Sequence, residues 1–212
     1  MVLGIFAKEP IAGRVKTRLC PPLSAAEAAG LYRRSLEETV AAMTGAGFEL
    51  ALFFAGGIEY FRRSFPGLRL IPQGEGDLGS RMERALSSLL SDGCDVAALI
   101  GSDTPDLPVV LVKEAFAALR EADVVVSPAR DGGYVLIGER RHVPELFRDI
   151  PWSSADVLEA TRQRAAEAAV EVREVGGWED IDDIISLRRL VQRSPASATA
   201  RYAVGLLAKG RQ

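Results

Sequence analysis

Strands and helices alternate almost without interruption along this chain. That alternation predicts an α/β protein, a mostly parallel sheet covered by helices on both faces. Two further observations support it. Residues 96–100, VAALI, form a short unbroken apolar run of the kind shown by a strand buried on both faces. The run ends in Gly101-Ser102-Asp103-Thr104-Pro105-Asp106, which sends two carboxylates off the carboxyl end of a central strand. That edge is where open α/β sheets bind ligands. No linker-like stretch and no internal repeat divides the 212 residues, so a single domain over 1–212 is expected.

Residues 2–6 are apolar and open the chain as its first strand. Residues 7–19, AKEPIAGRVKTRL, hold Pro10 and Gly13 and lack a helical period, which makes them a loop closed by Pro21-Pro22. Ser24 followed by Glu27 is a capping box, and its helix should run to about Thr44 and stop at Gly45 and Gly47. Residues 48–54 form a second strand, 58–65 a short helix after Gly56-Gly57, and 68–71 a weak third strand. The glycine-rich stretch 73–82, QGEGDLGSRM, enters a helix that ends near Asp92-Gly93. The fourth strand, 96–100, is followed by a helix at 109–121 and a fifth strand at 123–127. Arg130-Asp131-Gly132-Gly133 turns the chain into a strand at 134–138. Ser153 or Ser154 caps a helix to about Ala169, residues 170–175 form a late strand, and Asp180, Asp182 and Asp183 precede a helix at 184–192. Ser194-Pro195, a cap followed by proline, opens a last helix that frays at 209–212.

Composition excludes several classes of function. A hydrophobic content of 48% with 26% charged residues is that of a soluble globular protein. The net charge of −3 argues against a general nucleic-acid binder. Cys20 and Cys94 lie far apart in no metal- or redox-type spacing, and the N-terminus lacks a basic stretch leading into an apolar core. A reducing, cytoplasmic setting is therefore expected. His142 is the single histidine, which excludes zinc sites built on histidine. It sits in the polar segment RRHVP and is expected to be exposed; with no GxSxG, serine-hydrolase chemistry has no parts here. No apolar run reaches the roughly 18 residues of a membrane span.

Four stretches carry candidate chemistry. Short carboxylates at a sheet edge suit a hard divalent cation, and the cation suits a phosphate; alternatively Asp103 or Asp106 only caps the helix starting near Pro108. Lys8, Arg14, Lys16 and Arg18 are opposed only by Glu9, a local basic surplus in an acidic chain, placed directly after the first strand. Arginine forks match phosphate oxygens, and Gly13 would admit an anion to the backbone. This is no P-loop, because AGRVKT runs into two prolines rather than a helix. Gly74-Glu75-Gly76-Asp77-Leu78-Gly79 spells the dinucleotide fingerprint, but the strand before it, LRLIP, is too polar for the central strand that motif needs. Asp131-Gly132-Gly133 reads equally as a plain turn or as a carboxylate held beside a ligand. Asp180-Ile181-Asp182-Asp183 offers three carboxylates where a helix cap needs one.

Taken together, FAKEPIAGRVKTRL, GDLGSRM, IGSDTPDLP and DGGYVLIG, in this order, resemble a bacterial family of GT-A-like glycosyltransferases within the nucleotide-diphospho-sugar transferase superfamily. That family includes radical-SAM/selenodomain-associated transferases and proposed arsenosugar-biosynthesis glycosyltransferases. The chain is similar, more distantly, to molybdenum-cofactor and phospholactate guanylyltransferases. The resemblance implies a GT-A fold in which the loop after the first strand covers nucleotide phosphates and two acidic residues hold Mg²⁺ or Mn²⁺. By position it implies that Ala7, Lys8, Gly13, Arg14, Lys16, Arg18, Gly79 and Arg81 bind the nucleotide and that Asp103 and Asp182 bind the metal. Such proteins often read DIDTPEDL at the second metal position; this chain reads DIDDIISL, so Asp180 stands beside Asp182 as a substitute.

The implied activity is metal-dependent sugar transfer from a nucleotide sugar to a small-molecule acceptor. Asp103 would be its central carboxylate, with Asp106 or Asp131 orienting or deprotonating the acceptor. The same parts suit a nucleotidyltransferase that holds a nucleoside triphosphate and releases pyrophosphate. The departure after Asp182 also admits a nucleotide-binding module without catalysis.

Overall fold

The computed structural model describes residues 1–209; of the expected C-terminal fraying, residues 210–212 lie outside them. The elements are β1 (Val2–Lys8), α1 (Ala25–Met43), β2 (Glu49–Ala55), α2 (Ile58–Ser64), β3 (Arg69–Pro72), α3 (Leu78–Ser91), β4 (Ala97–Gly101) and α4 (Val109–Ala118). Then come β5 (Val124–Pro128), β6 (Tyr134–Glu139), α5 (Val157–Glu167), β7 (Val172–Glu174), α6 (Ile184–Arg193) and α7 (Ala198–Lys209). The strands form one seven-stranded sheet in the order β3-β2-β1-β4-β6-β5-β7. β1 pairs in parallel with β2 and β4, β2 with β3, and β5 with β7. Only β6 is antiparallel, between β4 and β5. The carboxyl ends of β1, β2, β4 and β5 therefore share one edge, as the α/β reading requires.

Period-two alternation splits each central strand between two cores. Leu3, Ile5, Ala98 and Ile100 pack with Leu36, Val40, Phe61, Val112 and Phe116 from α1, α2 and α4. Val2, Ala97, Leu99 and Ile137 pack with Met82, Leu86, Leu89 and Leu158 from α3 and α5 on the opposite face. Side chains such as Leu3, Leu36 and Leu86 are fully buried, and each contributes roughly 1.5–3 kcal/mol by leaving water. A third cluster joins the outer face of α1 to α6 and α7 through Leu31, Leu187, Leu190 and Ala203. It seats the C-terminal helices behind the edge where β1 and β4 end.

The capping box at Ser24 and Glu27 forms in full. Two expected caps do not. Ser154 Oγ accepts from the Asp156 amide and Ser153 takes φ +68°, so the chain turns there and α5 begins only at Val157. Ser194 likewise does not open the last helix. Its hydroxyl donates to Asp106 at 2.6 Å, while Ser197 Oγ accepts from the Ala200 amide at the start of α7. Two helices end early: α4 at Ala118 rather than 121, and α5 at Glu167 rather than about Ala169. β7 is three residues long, shorter than the expected 170–175, and pairs in parallel with β5. β3, which precedes the glycine-rich stretch, is an outer strand of the sheet and half-exposed, the opposite of a fingerprint strand. No described helix is long and apolar enough to cross a membrane.

Candidate active site at the carboxyl edge of the sheet

A cleft of about 880 Å³ opens over the ends of β1 and β4. One wall is the loop after β1, with Arg14, Lys16 and Arg18; the other is the turn at Asp131–Tyr134 together with Trp152–Ala155. Lys16 organises the basic wall. It takes a left-handed conformation, φ +48°, unusual for a lysine, and so aims its side chain inward. Its Nζ donates to Asp103 Oδ2 at 2.8 Å. Arg18 pairs with Asp182 at the rim. Lys8, Ala7 and Arg81 also line the cleft, and Arg81 Nε folds back to donate to the Gly76 carbonyl at 2.9 Å.

Asp103 is positioned by backbone as well as by charge. The Ile181 amide donates to the Asp103 carbonyl at 3.0 Å, which brings the 180–182 segment alongside the loop after β4. Asp180 consequently sits in the field of Asp103. Burial, and then the charge of Asp103, push its carboxyl up to about 7, with Lys16 opposing and Asp131 adding to the rise. Asp182 is the more exposed of the pair and is neutralised by Arg18. Asp183 is the helix cap, its carboxylate accepting from the amides of Ile185 and Ser186. The helix after Pro108 has no side-chain cap, so neither Asp103 nor Asp106 serves there.

Several residues singled out in the sequence stand elsewhere. Asp106 does not line the cleft. Its carboxylate accepts from Arg193 Nε at 2.7 Å, Ser194 Oγ at 2.6 Å and Trp178 Nε1 at 3.2 Å. Burial works against its charge, but these donors hold its carboxyl below the ordinary range. Asp106 thus ties the loop after β4 to α6 and to Trp178, away from the cleft lining. Gly79 is buried beneath Trp152, whose Nε1 lies 2.4 Å from where a Cβ would stand. The glycine there admits the indole and does not face the cleft. Gly13 is at the exposed tip of the loop and also does not line the cleft. Asp131 does line it, while its Oδ1 accepts from the Gly133 amide at 3.0 Å, so the turn role and the cleft position coexist. His142 is not fully exposed. It is held between Glu139 and Glu83, at 3.1 and 3.2 Å, and Glu139 first and foremost raises its pKa.

Three cleft residues were not legible as such in the sequence. Tyr32, on the buried face of α1, accepts from the Lys8 amide at 2.8 Å and shares a hydrogen bond of 2.7 Å with Ser102 Oγ, pinning the ends of β1 and β4 together. Burial pushes its phenol up to about 12. Gln73 donates both amide hydrogens, to the carbonyls of Ala7 and Phe53 at 3.0 and 2.9 Å, closing the ends of β1 and β2. Trp152 forms part of the far wall. Tyr32 and Trp152 read as ordinary core aromatics, and Gln73 as a loop polar residue; no local pattern separates them.

Among the described residues no three acidic, histidine or cysteine side chains converge as a ready-made metal cage. Asp103 and Asp180 supply two carboxylates whose mutual repulsion is only partly relieved by Lys16. Such a pair fits a small divalent cation that keeps waters and takes its remaining ligands from phosphate oxygens.

The comparisons with known proteins agree with this architecture. A family profile described as "Uncharacterized protein conserved in bacteria (DUF2064)" matches residues 35–154. A proposed nucleotide-diphospho-sugar transferase from Desulfovibrio desulfuricans G20 superposes with a TM-score of 0.92 at 32% identity, over 100% of this chain and 96% of that one. A nucleotidyl transferase from Methanothermobacter superposes at 0.59 with 14% identity, over 90% and 95% of the two chains, and so shares the fold. Rv0371c from Mycobacterium tuberculosis H37Rv, in complex with manganese, does so at 0.55 with 19% identity, over 91% and 98%. No curated protein matches the chain. The chain belongs to the DUF2064 family and has the nucleotide-diphospho-sugar transferase fold.

Proposed function

We propose that this protein transfers a sugar from a nucleotide-diphospho-sugar to a small acceptor, with a divalent cation, Mg²⁺ or Mn²⁺, on the diphosphate. The observation that carries the reading is the meeting of the basic loop with Asp103 and Asp180 in one cleft of about 880 Å³, the size of a site for a bound nucleotide. Lys8, Arg14, Lys16 and Arg18 take the phosphate oxygens and stabilise the charge that develops on the leaving diphosphate. Asp103 and Asp180 would hold the cation; Asp182, 40% exposed at the rim, is the weaker candidate. When bound, the cation supplies Lewis acidity at the diphosphate. Asp131, on the opposite wall, faces the acceptor and orients or deprotonates it. The site takes a small molecule and no nucleic acid.

One observation favours a second reading. Four basic residues from one stretch, with Arg81 beside them, line the cleft and suit a nucleoside triphosphate in nucleotidyl transfer as well as a diphosphate. A thermal-shift series with nucleoside triphosphates, nucleoside diphosphates and nucleotide sugars, each with and without Mn²⁺, tests both. Selective, Mn²⁺-dependent stabilisation by one nucleotide sugar supports sugar transfer, and selective stabilisation by a triphosphate supports nucleotidyl transfer. No stabilisation by any of them overturns the nucleotide reading altogether.

A further inference from the structure

Behind the cleft, where the loop after β4 meets the segment before α6, lies a second set of charges. Arg193, in the last turn of α6, places its guanidinium fork on Asp106, Nε to Oδ2 at 2.7 Å and Nη2 to Oδ1 at 3.0 Å. The same guanidinium reaches Glu179, Nη1 to the carboxylate at 2.6 Å and Nη2 to the backbone carbonyl at 2.9 Å. The side chains of Asp106 and Glu179 are only 6% and 11% exposed. Arg193 also lies over the Trp178 ring, 5.7 Å from its centroid.

These partners are placed tellingly along the chain. Asp106 is three residues beyond Asp103, and Glu179 is the residue before Asp180. Past Trp178, whose amide donates to Pro128, the segment leaves the sheet. From there to α6 it is tied to the loop after β4 by the Ile181–Asp103 backbone bond and by Arg193. Nη2 is shared between Asp106 and the Glu179 carbonyl, so one nitrogen spans the two loops. A lysine carries the charge but not the fork, and cannot make these four contacts at once. Arg189 makes an ion pair with Glu179 alone, 2.5 Å from Oε1, and so holds one loop without reaching the other.

We propose that Arg193 is a positioning residue for the cleft: by joining Asp106 to Glu179 it fixes Asp180 against Asp103 and sets the spacing of the two carboxylates that hold the cation. The inference deepens the nucleotide reading above and rests on it for the meaning of that spacing. Outer groups that orient ligating side chains characteristically affect metal affinity by about 10–100-fold.

The experiment compares wild type with Arg193→Met, Arg193→Lys, Asp106→Asn and, as a control, Arg189→Met. Three quantities are read: the melting temperature, the affinity for Mn²⁺ alone by calorimetry, and the exchange rate of the Ile181 amide. Both Arg193 variants should bind Mn²⁺ about 10–100-fold more weakly and exchange the Ile181 amide about tenfold faster or more. Asp106→Asn should move both in the same direction, and Arg189→Met should leave both unchanged. Failure of lysine to rescue separates positioning by the fork from mere charge balance. If Arg193→Met does not fold, Arg193→Lys and Asp106→Asn read the same two quantities. Wild-type Mn²⁺ affinity together with wild-type Ile181 exchange in Arg193→Lys would overturn the proposal. If wild type itself binds no Mn²⁺, the metal in the proposed function fails, and the amide exchange alone then decides the positioning role: faster exchange supports it, unchanged exchange ends it.

Discussion

Lys16 Nζ lies 2.8 Å from Asp103 Oδ2, an ion pair that joins the loop after β1 to the loop after β4. The lysine is 10% exposed, so water screens this pair far less than a surface bridge. The amine therefore acts on two carboxylates from different segments, bonding Asp103 after β4 and opposing the rise in the pKa of Asp180 before α6.

Lys16→Met removes that amine and leaves Asp103 and Asp180 facing each other. Mn²⁺ alone should then bind about tenfold more tightly, since tenfold is only about 1.4 kcal/mol. Nucleotide without metal should bind more weakly, because a fixed phosphate donor is gone. Two calorimetric titrations, one with MnCl₂ and one with nucleotide in chelator, read the two effects. Parallel changes in both would show that Lys16 shapes the loop and does not act through its charge.

Tyr32→Phe keeps the packing of α1 but strips the phenol that accepts from the Lys8 amide and bonds Ser102. Leaving such buried groups without a partner costs roughly 1–3 kcal/mol. The melting temperature should fall accordingly, and nucleotide affinity should fall with it because the two loop bases are no longer pinned together. A variant with wild-type stability would mean that water replaces the phenol at no cost.

How far the sequence foretold this arrangement varied with how local the controlling forces are. β1 and β4 were legible because apolar residues on both faces are written into a few consecutive positions. The capping box at Ser24 was legible for the same reason: both partners lie within four residues. Ser194 was misread because its hydroxyl goes to Asp106, 88 residues away, and no local pattern records that bond. Asp103 and Asp106 leave the same strand with the same chemistry. Trp178, Arg193 and Ser194, 72 to 88 residues beyond Asp106, tie that carboxylate into the structure, while Asp103 faces the cleft. Asp180 and Asp182 likewise differ in burial and in the ion pair with Arg18, neither of which the DIDD string contains.

Gly132→Ala should disrupt the far wall. Gly132 takes φ +90°, and an added Cβ would lie 2.0 Å from the Ala155 carbonyl oxygen. Backbone cannot yield as a flexible side chain would, so either the turn or the 152–155 segment must move. The conformational cost alone is about 1–3 kcal/mol, and Asp131 would shift with the turn. Lower thermal stability and weaker acceptor-dependent turnover, with nucleotide affinity largely retained, are the expected results. Loss of nucleotide affinity equal to the loss of turnover would move Asp131 from the acceptor side of the cleft to the nucleotide side.

Asp180 makes the stability of the protein depend on pH in a definite direction. Burial and the Asp103 charge raise its carboxyl from 3.8 to about 7 in the folded protein. Between those values the folded chain binds more protons at this site than the unfolded chain does, so stability falls as pH rises. The contribution is fully present below about pH 4 and is lost as pH rises through about 7. Asp180→Asn removes the ionisation and keeps the shape. The variant should therefore be more stable than wild type at pH 8, on the order of 1–4 kcal/mol, since each unit of raised pKa corresponds to about 1.4 kcal/mol. At pH 4 the two should be nearly equal. Other carboxylates titrate in both proteins, so the difference between the two stability curves, measured by urea unfolding from pH 4 to 8, reports Asp180 together with its interaction with Asp103. A cation held between Asp103 and Asp180 relieves the same repulsion, so saturating Mn²⁺ should raise the stability of wild type at pH 8 and leave Asp180→Asn nearly unchanged. Identical pH curves for the two proteins would mean that Asp180 is ionised without penalty, and the cleft would lose the electrostatic reason to take a cation.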